Sequence, residues 1–212
     1  MRGGVDDLGL EEDAYYSVEE VWALMRVMKS LHRSGKFECI RNWFLVHYDL
    51  NTGLRVEELS ELRHGDFFVE LGKSYVVVRQ GKGNKRRNVP VSEELRRDYV
   101  YYVDWKKACG LSTAKDSHVF TKRDGNKLTV RALQKLFTKC AGMAGLERKN
   151  IHCLRHTLIT HLLDSGAPPR LVQKMVGHAS IKTTQRYMGI SKNKKRIKDS
   201  LSNLYCLYKG ST

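Results

Sequence analysis

Apolar residues recur through most of the chain at the three- and four-residue spacing of amphipathic helices. Ser17 and Glu20 form a capping box before the first such stretch, which continues to Leu31. A second helix is predicted over residues 37–51, and Gly53 is its predicted left-handed C-terminal cap. The N-terminal part of the chain is therefore expected to form a helical pair.

Residues 66–91 change to the alternation and β-branched composition of strands. Strands are predicted over residues 66–71, 75–79 and 88–91, and glycines on both sides of Lys82 favour a tight hairpin between the last two. Residues 119–120 are predicted to form a further short strand. The pattern indicates a small three-stranded antiparallel sheet inserted among helices.

Helical spacing returns after the sheet. Ser92 is predicted to begin a helix that ends near Cys109, and Thr129 to cap another that ends near Met143. The aromatic residues of the first helix are expected in the core. The fold class expected from these patterns is mainly α with one small three-stranded antiparallel sheet, an α+β arrangement.

Polar residues that could take part in catalysis or binding are concentrated at predicted element ends in residues 151–187. His152 and Arg155 lie three residues apart, on one side of a helix start. Pro168 and Pro169 are expected to open the next helix and Gly177 to close it, which leaves His178 in a turn. Thr183 and Thr184 are candidate caps for a short helix that carries Tyr187. These side chains could converge on one point, together with Arg55 at a corner after Gly53.

The charge balance favours a polyanionic partner. Lys and Arg outnumber Asp and Glu by 38 to 23, a net charge of +15, and nucleic acid is the commonest such partner. The alternative is that the basic charge serves only solubility. Five cysteines without CxxC spacing argue against a disulfide framework and suit a reducing cytoplasm. No apolar run of 18 residues and no signal-type segment is present, so no membrane association is expected.

Arginines, histidines and a tyrosine beside a polyanion suggest phosphoryl transfer on a nucleic-acid backbone. A guanidinium matches two phosphate oxygens and stays charged, so Arg55 and Arg155 could stabilise charge that builds on a phosphate. His152 and His178 could accept the proton of Tyr187 or bond to phosphate oxygens. No metal or other cofactor is expected, and the phosphate-binding motif GxxxxGK[ST] is absent. The His152–His156 spacing could suit zinc, but without an HExxH glutamate we expect His156 to be a buried, hydrogen-bonded structural histidine.

Four segments together resemble the catalytic domain of the tyrosine recombinases, or phage integrase family, and are most similar to Xer-type and conjugative-element integrases. They are TGLRVEELSELRHGDF (52–67), GKGNKRRNVPV (81–91), HCLRHTLITHLLDSG (152–166) and VQKMVGHASIKTTQRY (172–187). The resemblance spans residues 16–187, and no position departs from the family motif.

The resemblance implies a role for each matching residue. Tyr187 would be the nucleophile, and Lys82, with Lys85 as the alternative, the general acid that protonates a leaving 5′-hydroxyl. The remaining implied catalytic residues are Arg55, His152, Arg155 and His178, with Glu58 as an acidic support for Arg55. Cleavage would pass through a 3′-phosphotyrosyl intermediate without metal or ATP. The residues expected to contact DNA are Lys85, Arg86, Arg87, Lys182 and Arg186.

The resemblance also implies partners and a domain arrangement. The partners would be double-stranded DNA, three further copies of the chain in a tetramer on DNA, and accessory DNA-binding factors; the free protein is expected to be a monomer in the bacterial cytoplasm, associated with the nucleoid. Residues 1–13 are expected to be flexible, 14–190 to form the catalytic domain, and 191–212 to form a tail helix that packs on a neighbouring protomer. The family's N-terminal core-binding domain is not expected in this sequence, which would be either a catalytic fragment or a naturally short protein, and a fragment is favoured.

Two alternatives stay open from the sequence. One is a type IB topoisomerase-like enzyme that relaxes DNA by the same chemistry, and the other is a basic DNA-binding module without catalysis. The complete set of Arg, Lys, His, Arg, His and Tyr argues against the second.

Overall fold

A computed structural model describes residues 15–70, 73–79 and 86–188. Within these residues the chain forms eight α-helices: α1 (Val18–His32), α2 (Phe37–Thr52), α3 (Val56–Glu61), α4 (Glu93–Ala108), α5 (Val130–Met143), α6 (His152–Asp164), α7 (Pro169–Val176) and α8 (Ile181–Gln185). Three short strands complete the fold: β1 (Phe67–Phe68), β2 (Tyr75–Val78) and β3 (Arg87–Pro90). The predicted class, mainly helical with one three-stranded antiparallel sheet, is confirmed.

The helix ends follow local sequence signals. The side chains of Ser17, Ser92 and Thr129 each accept a backbone N–H three residues on, at 3.2 to 3.3 Å. Gly53 and Gly177 end α2 and α7 in the left-handed conformation, with φ of 57° and 74°. These predicted caps are confirmed.

Helix α2 is the centre of the fold, because it packs against α1, α4 and α6. Apolar residues on several sides of the helix, including Phe44, Leu45 and Val46, are completely buried. The ring of Phe44 stacks on Tyr102 of α4 with centroids 4.4 Å apart, which supports the prediction that the α4 aromatics belong to the core. Because α2 is packed on three sides, its C-terminal cap, Gly53, holds a fixed position from which the chain continues to the site residues.

The sheet has the order β1–β2–β3 with both pairs antiparallel. Val76 of β2 lies opposite Phe67 on one side and Val89 on the other. Strand β3 also contacts α7, so the sheet is tied to the helix that ends at Gly177.

Two local predictions are wrong. Residues 119–120 are buried but form no strand, because the Val119 N–H donates to the Leu62 carbonyl while the Phe120 carbonyl accepts from Leu128. Two different partners at adjacent residues give single bridges rather than a ladder.

Thr183 and Thr184 do not cap α8, because the helix begins before them and Ser180 occupies its N-cap position. The Ser180 hydroxyl accepts the N–H of Lys182 and caps α8. Thr184 instead turns inward, where it is completely buried.

Several predictions concern residues outside the described part of the chain. They are the flexible segment 1–13, the hairpin with Lys82 and Lys85, and the tail helix 191–212. None of the helices in the described ranges is long and apolar enough to cross a lipid bilayer.

Candidate active site

Two left-handed glycines place the predicted site residues. Gly53 turns the chain so that Arg55 occupies the N-cap position of α3, and Gly177 turns it so that His178 follows α7. A Cβ on Gly53 would lie 2.9 Å from Leu158 Cδ2, and one on Gly177 would lie 2.9 Å from Arg87 Cδ. Both turns therefore require glycine for backbone conformation and for space.

The C-terminal turn of α7 binds three arginines. We call residues 175–178 the α7 turn. Arg87 Nε donates to the Met175 carbonyl at 3.1 Å, and Arg155 Nη2 to the Val176 carbonyl at 2.7 Å. Arg55 Nη2 donates to the Gly177 carbonyl at 3.0 Å. The last carbonyls of a helix lack intrahelical donors and carry partial negative charge, so they attract these guanidinium groups.

Glu58 joins two of the arginines. Its carboxylate accepts both terminal nitrogens of Arg87, at 2.8 and 2.7 Å, and Arg55 Nη1 at 3.0 Å. Burial alone would raise the pKa of Glu58, but the hydrogen bonds and charge of Arg87, followed by those of Arg55, hold its pKa below the ordinary value. Glu58 is thus ionised at neutral pH and lies where the predicted support for Arg55 would be.

The structure places Arg87 inside this network. All three of its guanidinium nitrogens donate to protein acceptors, and its side chain is 10% exposed. Arg55 is more open, with 23% of its side chain exposed. Arg87 therefore orients Glu58 and, through it, Arg55, whereas its expected contact with DNA stays a prediction.

Arg155 is the most enclosed arginine of the site, at 6% exposure. Its Nη1 donates to the Gly53 carbonyl at 2.5 Å while Nη2 reaches Val176, so one planar group bridges the ends of α2 and α7. Burial, and next the charge of Arg55, lower the pKa of Arg155 to about 10. The guanidinium is still charged at neutral pH.

The two predicted histidines are neutral. His178 Nδ1 lies 2.9 Å from the Thr184 hydroxyl, which fixes the ring. Burial, and then the charges of Arg155 and Arg55, lower the pKa of His178 to about 3. Burial is also the main cause that lowers the pKa of His152, the first residue of α6, against an opposing effect of Glu57. Neutral imidazoles can donate from one ring nitrogen and accept at the other.

Tyr187 lies just after α8 and is 3% exposed. Its ring is flanked by His156 and His178, with centroids 5.6 and 6.1 Å away and interplanar angles of 24° and 20°. The hydroxyl lies 2.5 Å from His156 Nδ1. Burial, opposed by the charge of Arg155, raises the pKa of Tyr187 to about 12, so the phenol is protonated at neutral pH.

His156 was predicted to be a buried, hydrogen-bonded structural histidine. The hydrogen bond is present, but the side chain is half-buried and its partner is the Tyr187 hydroxyl, which the sequence did not indicate. The available signal was weak: His156 follows Arg155 directly, on the helix that carries two other site residues.

The other predicted residues are exposed or lie beyond the described residues. Arg86, Lys182 and Arg186 are exposed. Lys82 and Lys85 fall outside the described ranges. Among the described residues, three potential metal ligands meet at His47, Glu94 and Asp98 on α2 and α4, none of them a predicted site residue.

Replacing Gly177 by alanine tests the geometry of the α7 turn. The left-handed backbone should cost about 1–3 kcal/mol of unfolding free energy when alanine replaces glycine. The new Cβ should also displace Arg87, which adds a further loss of stability. Gly166→Ala is the matched control, because Gly166 also has positive φ, 90°, but a Cβ there meets nothing within 4 Å. Denaturant unfolding of both variants measures the difference. Equal losses would contradict the predicted clash with Arg87.

The chain matches the model of the phage integrase family over residues 16–194. It is 35% identical over 185 residues to the tyrosine recombinase XerC of Listeria monocytogenes serotype 4b (strain F2365), an alignment that covers 84% of this chain and 58% of the relative. The chain thus spans a little over half the length of that relative.

Solved structures show the same similarity. The crystal structure of XerA recombinase superposes with a TM-score of 0.70 and 28% identity, over 92% of this chain and 65% of the other. A post-cleavage complex of the XerH site-specific recombinase with a palindromic difH substrate superposes with a TM-score of 0.71 and 26% identity, over 89% of this chain and 52% of the other. Because the family model matches most of the chain, the chain belongs to the phage integrase family of tyrosine recombinases.

Proposed function

We propose that this chain is the catalytic part of a site-specific DNA recombinase that cleaves and rejoins strands through a 3′-phosphotyrosyl intermediate. The observation that carries the proposal is the α7 turn, which holds Arg55, Arg155 and His178 around one backbone segment beside Tyr187. This arrangement combines fixed positive charge with a nucleophile, as phosphoryl transfer requires. The site-specific recombinases among the relatives add support.

The arginines would bind the scissile phosphate. Their guanidinium groups are already oriented by backbone carbonyls and by Glu58, so little reorganisation is needed when charge builds on the phosphate. His152 and His178, both neutral, would donate hydrogen bonds to phosphate oxygens. The Thr184 hydroxyl orients the ring of His178 for this role.

The oxygen of Tyr187 would attack phosphorus and displace the 5′-oxygen, which leaves with a proton from Lys82 or Lys85. A 5′-hydroxyl from a partner strand would then attack the phosphotyrosine and release Tyr187. Each step exchanges one phosphate ester for another, so the reaction needs no ATP. Because the guanidinium charges stabilise the transition state, we propose that no metal or other cofactor takes part.

The proposed partners follow from the family. Two DNA sites and four protomers would assemble for strand exchange, with accessory DNA-binding factors where the target requires them, and the free protein would be monomeric. Residues 191–212 would pack on a neighbouring protomer. The proposed location is the bacterial cytoplasm.

The exposed Lys182 and Arg186 should contribute to DNA affinity through phosphate contacts. Replacing both with glutamine is expected to weaken binding by a similar factor for duplexes of unrelated sequence. It should also reduce the slope of log affinity against log salt concentration by about 2. Fluorescence anisotropy at several salt concentrations measures this slope. The charge-matched control replaces exposed Arg26 and Lys29 of α1, and an equal effect of both pairs would contradict a directed contact.

Joining of two differently marked DNA sites tests the proposed function. Recombinant product shows strand exchange, whereas relaxation of supercoiled DNA without joining favours the topoisomerase-like alternative. DNA binding with neither activity, by a chain supplied with a core-binding domain, would favour the non-catalytic module.

A further inference from the structure

The nucleophile proposed above already has a hydrogen-bond partner outside the motif residues. His156 Nδ1 lies 2.5 Å from the Tyr187 hydroxyl, shorter than the usual distance between nitrogen and oxygen in a hydrogen bond. The two rings also lie nearly parallel, 24° apart, with centroids at 5.6 Å. The contact therefore fixes both the direction of the hydroxyl and the plane of the phenol.

The position of His156 follows from its helix. Arg155 is held at both ends, by Gly53 and Val176, so the register of α6 relative to the α7 turn is fixed. His156 is the next residue, about 100° further round the helix. Its ring thus stands beside the phosphate-binding arginine and against the tyrosine.

The other histidine beside the tyrosine is differently engaged. His178 Nδ1 pairs with the hydroxyl of Thr184, and its ring centroid lies 6.1 Å from that of Tyr187. Among the described contacts, the hydrogen bond of the Tyr187 hydroxyl is the one with His156. A buried phenol needs a nearby group to receive its proton when the oxygen attacks.

We propose that His156 is a further catalytic residue, which orients the Tyr187 hydroxyl and accepts its proton during attack on a DNA phosphate. The inference rests on the strand-cleaving function proposed above. As the phenol oxygen bonds to phosphorus, its proton moves to His156 Nδ1 and the ring becomes an imidazolium. The displaced 5′-oxygen receives a separate proton from the lysine general acid. In the rejoining step the imidazolium returns its proton to the released Tyr187, so the cycle is balanced.

Two substitutions separate orientation from proton transfer. His156→Asn keeps a polar group near the Nδ1 position but cannot take up a proton, whereas His156→Ala removes both functions. At saturating nicked DNA, His156→Asn is expected to slow formation of the protein–DNA adduct by about 100-fold, the lower range for general acid–base catalysis, and His156→Ala is expected to slow it further because the orientation of the hydroxyl is also lost. His161→Asn is the control, because His161 is a buried histidine of the same helix that packs edgewise on Tyr15. Adduct formation at the wild-type rate in His156→Asn, or an equal loss in His161→Asn, would overturn the proposal.

Replacing the nucleophile with a more acidic phenol tests the proposed proton transfer directly. Fluorotyrosine at position 187 is a more acidic phenol and depends less on a base. It should recover much of the rate lost in His156→Asn and change the wild-type rate little. Absence of rescue would assign His156 a merely structural role.

A measurement without DNA distinguishes this inference from the proposed function. With a carbon-13 label at Cζ of Tyr187, the resonance should shift in His156→Ala, because the hydrogen bond is lost. An unchanged resonance overturns the contact even if the wild type cleaves DNA. Conversely, a shifted resonance in a protein that binds DNA but forms no adduct, alone or joined to a core-binding domain, would show that the contact exists and that the strand-cleaving function is wrong.

Discussion

Replacing Tyr187 by phenylalanine is expected to abolish covalent cleavage of DNA while the fold and DNA affinity are retained. The substitution removes one oxygen, the atom that would bond to phosphorus, and leaves the buried ring between His156 and His178. The lost hydrogen bond to His156 should cost about 0.5–1.5 kcal/mol of unfolding free energy. Because the proposed DNA contacts come from basic side chains, binding should change little.

Cleavage of a labelled nicked duplex, resolved on denaturing gels, measures this effect. Tyr101→Phe is the matched control, since it removes a phenol oxygen from an exposed tyrosine of α4. The control should cleave at the wild-type rate. Cleavage by Tyr187→Phe at a comparable rate would show that another group attacks the phosphate.

Arg155→Lys should have the second largest effect, although it preserves the charge. The planar guanidinium of Arg155 donates to Gly53 and Val176 at once, and a lysine ammonium cannot span the same two carbonyls. One buried carbonyl is then left without a donor, which costs about 1–3 kcal/mol of unfolding free energy. We also expect the rate of cleavage to fall about 100- to 1,000-fold, as when one preorganised donor to a transition-state oxygen is lost.

Single-turnover cleavage at saturating DNA and denaturant unfolding measure the two effects of Arg155→Lys separately. Arg26→Lys is the control, because Arg26 is an exposed arginine of α1. A variant as stable and as active as the control would contradict the bridging role of Arg155.

The sequence was sufficient to predict most of the fold, because its element boundaries are encoded locally. Ser17, Thr129, Gly53 and Gly177 act on their own backbone neighbours, so their roles can be inferred without knowing the tertiary structure. The prediction for residues 119–120 was wrong for the converse reason. A strand requires a partner ladder, and these residues bond to two separate segments.

The site was predictable only in part. Motif spacing indicated Arg55, Arg155, His178 and Tyr187, but two contacts depend on how distant elements pack. Arg87 reaches Glu58 across 29 residues, and His156 reaches Tyr187 across 31. In the sequence, Arg87 belongs to a basic run typical of DNA contacts, so its inward orientation became evident only with the position of α7.

The most direct test of the central claim is to identify the chemical link between protein and DNA. The chain would be incubated with nicked duplexes from a pool of candidate sites, and adducts that survive detergent would be digested with protease and nuclease. Mass spectrometry of the peptides should find a nucleotide joined through its 3′-phosphate to Tyr187. A link to any other residue, or cleaved DNA with no protein attached, would contradict the account.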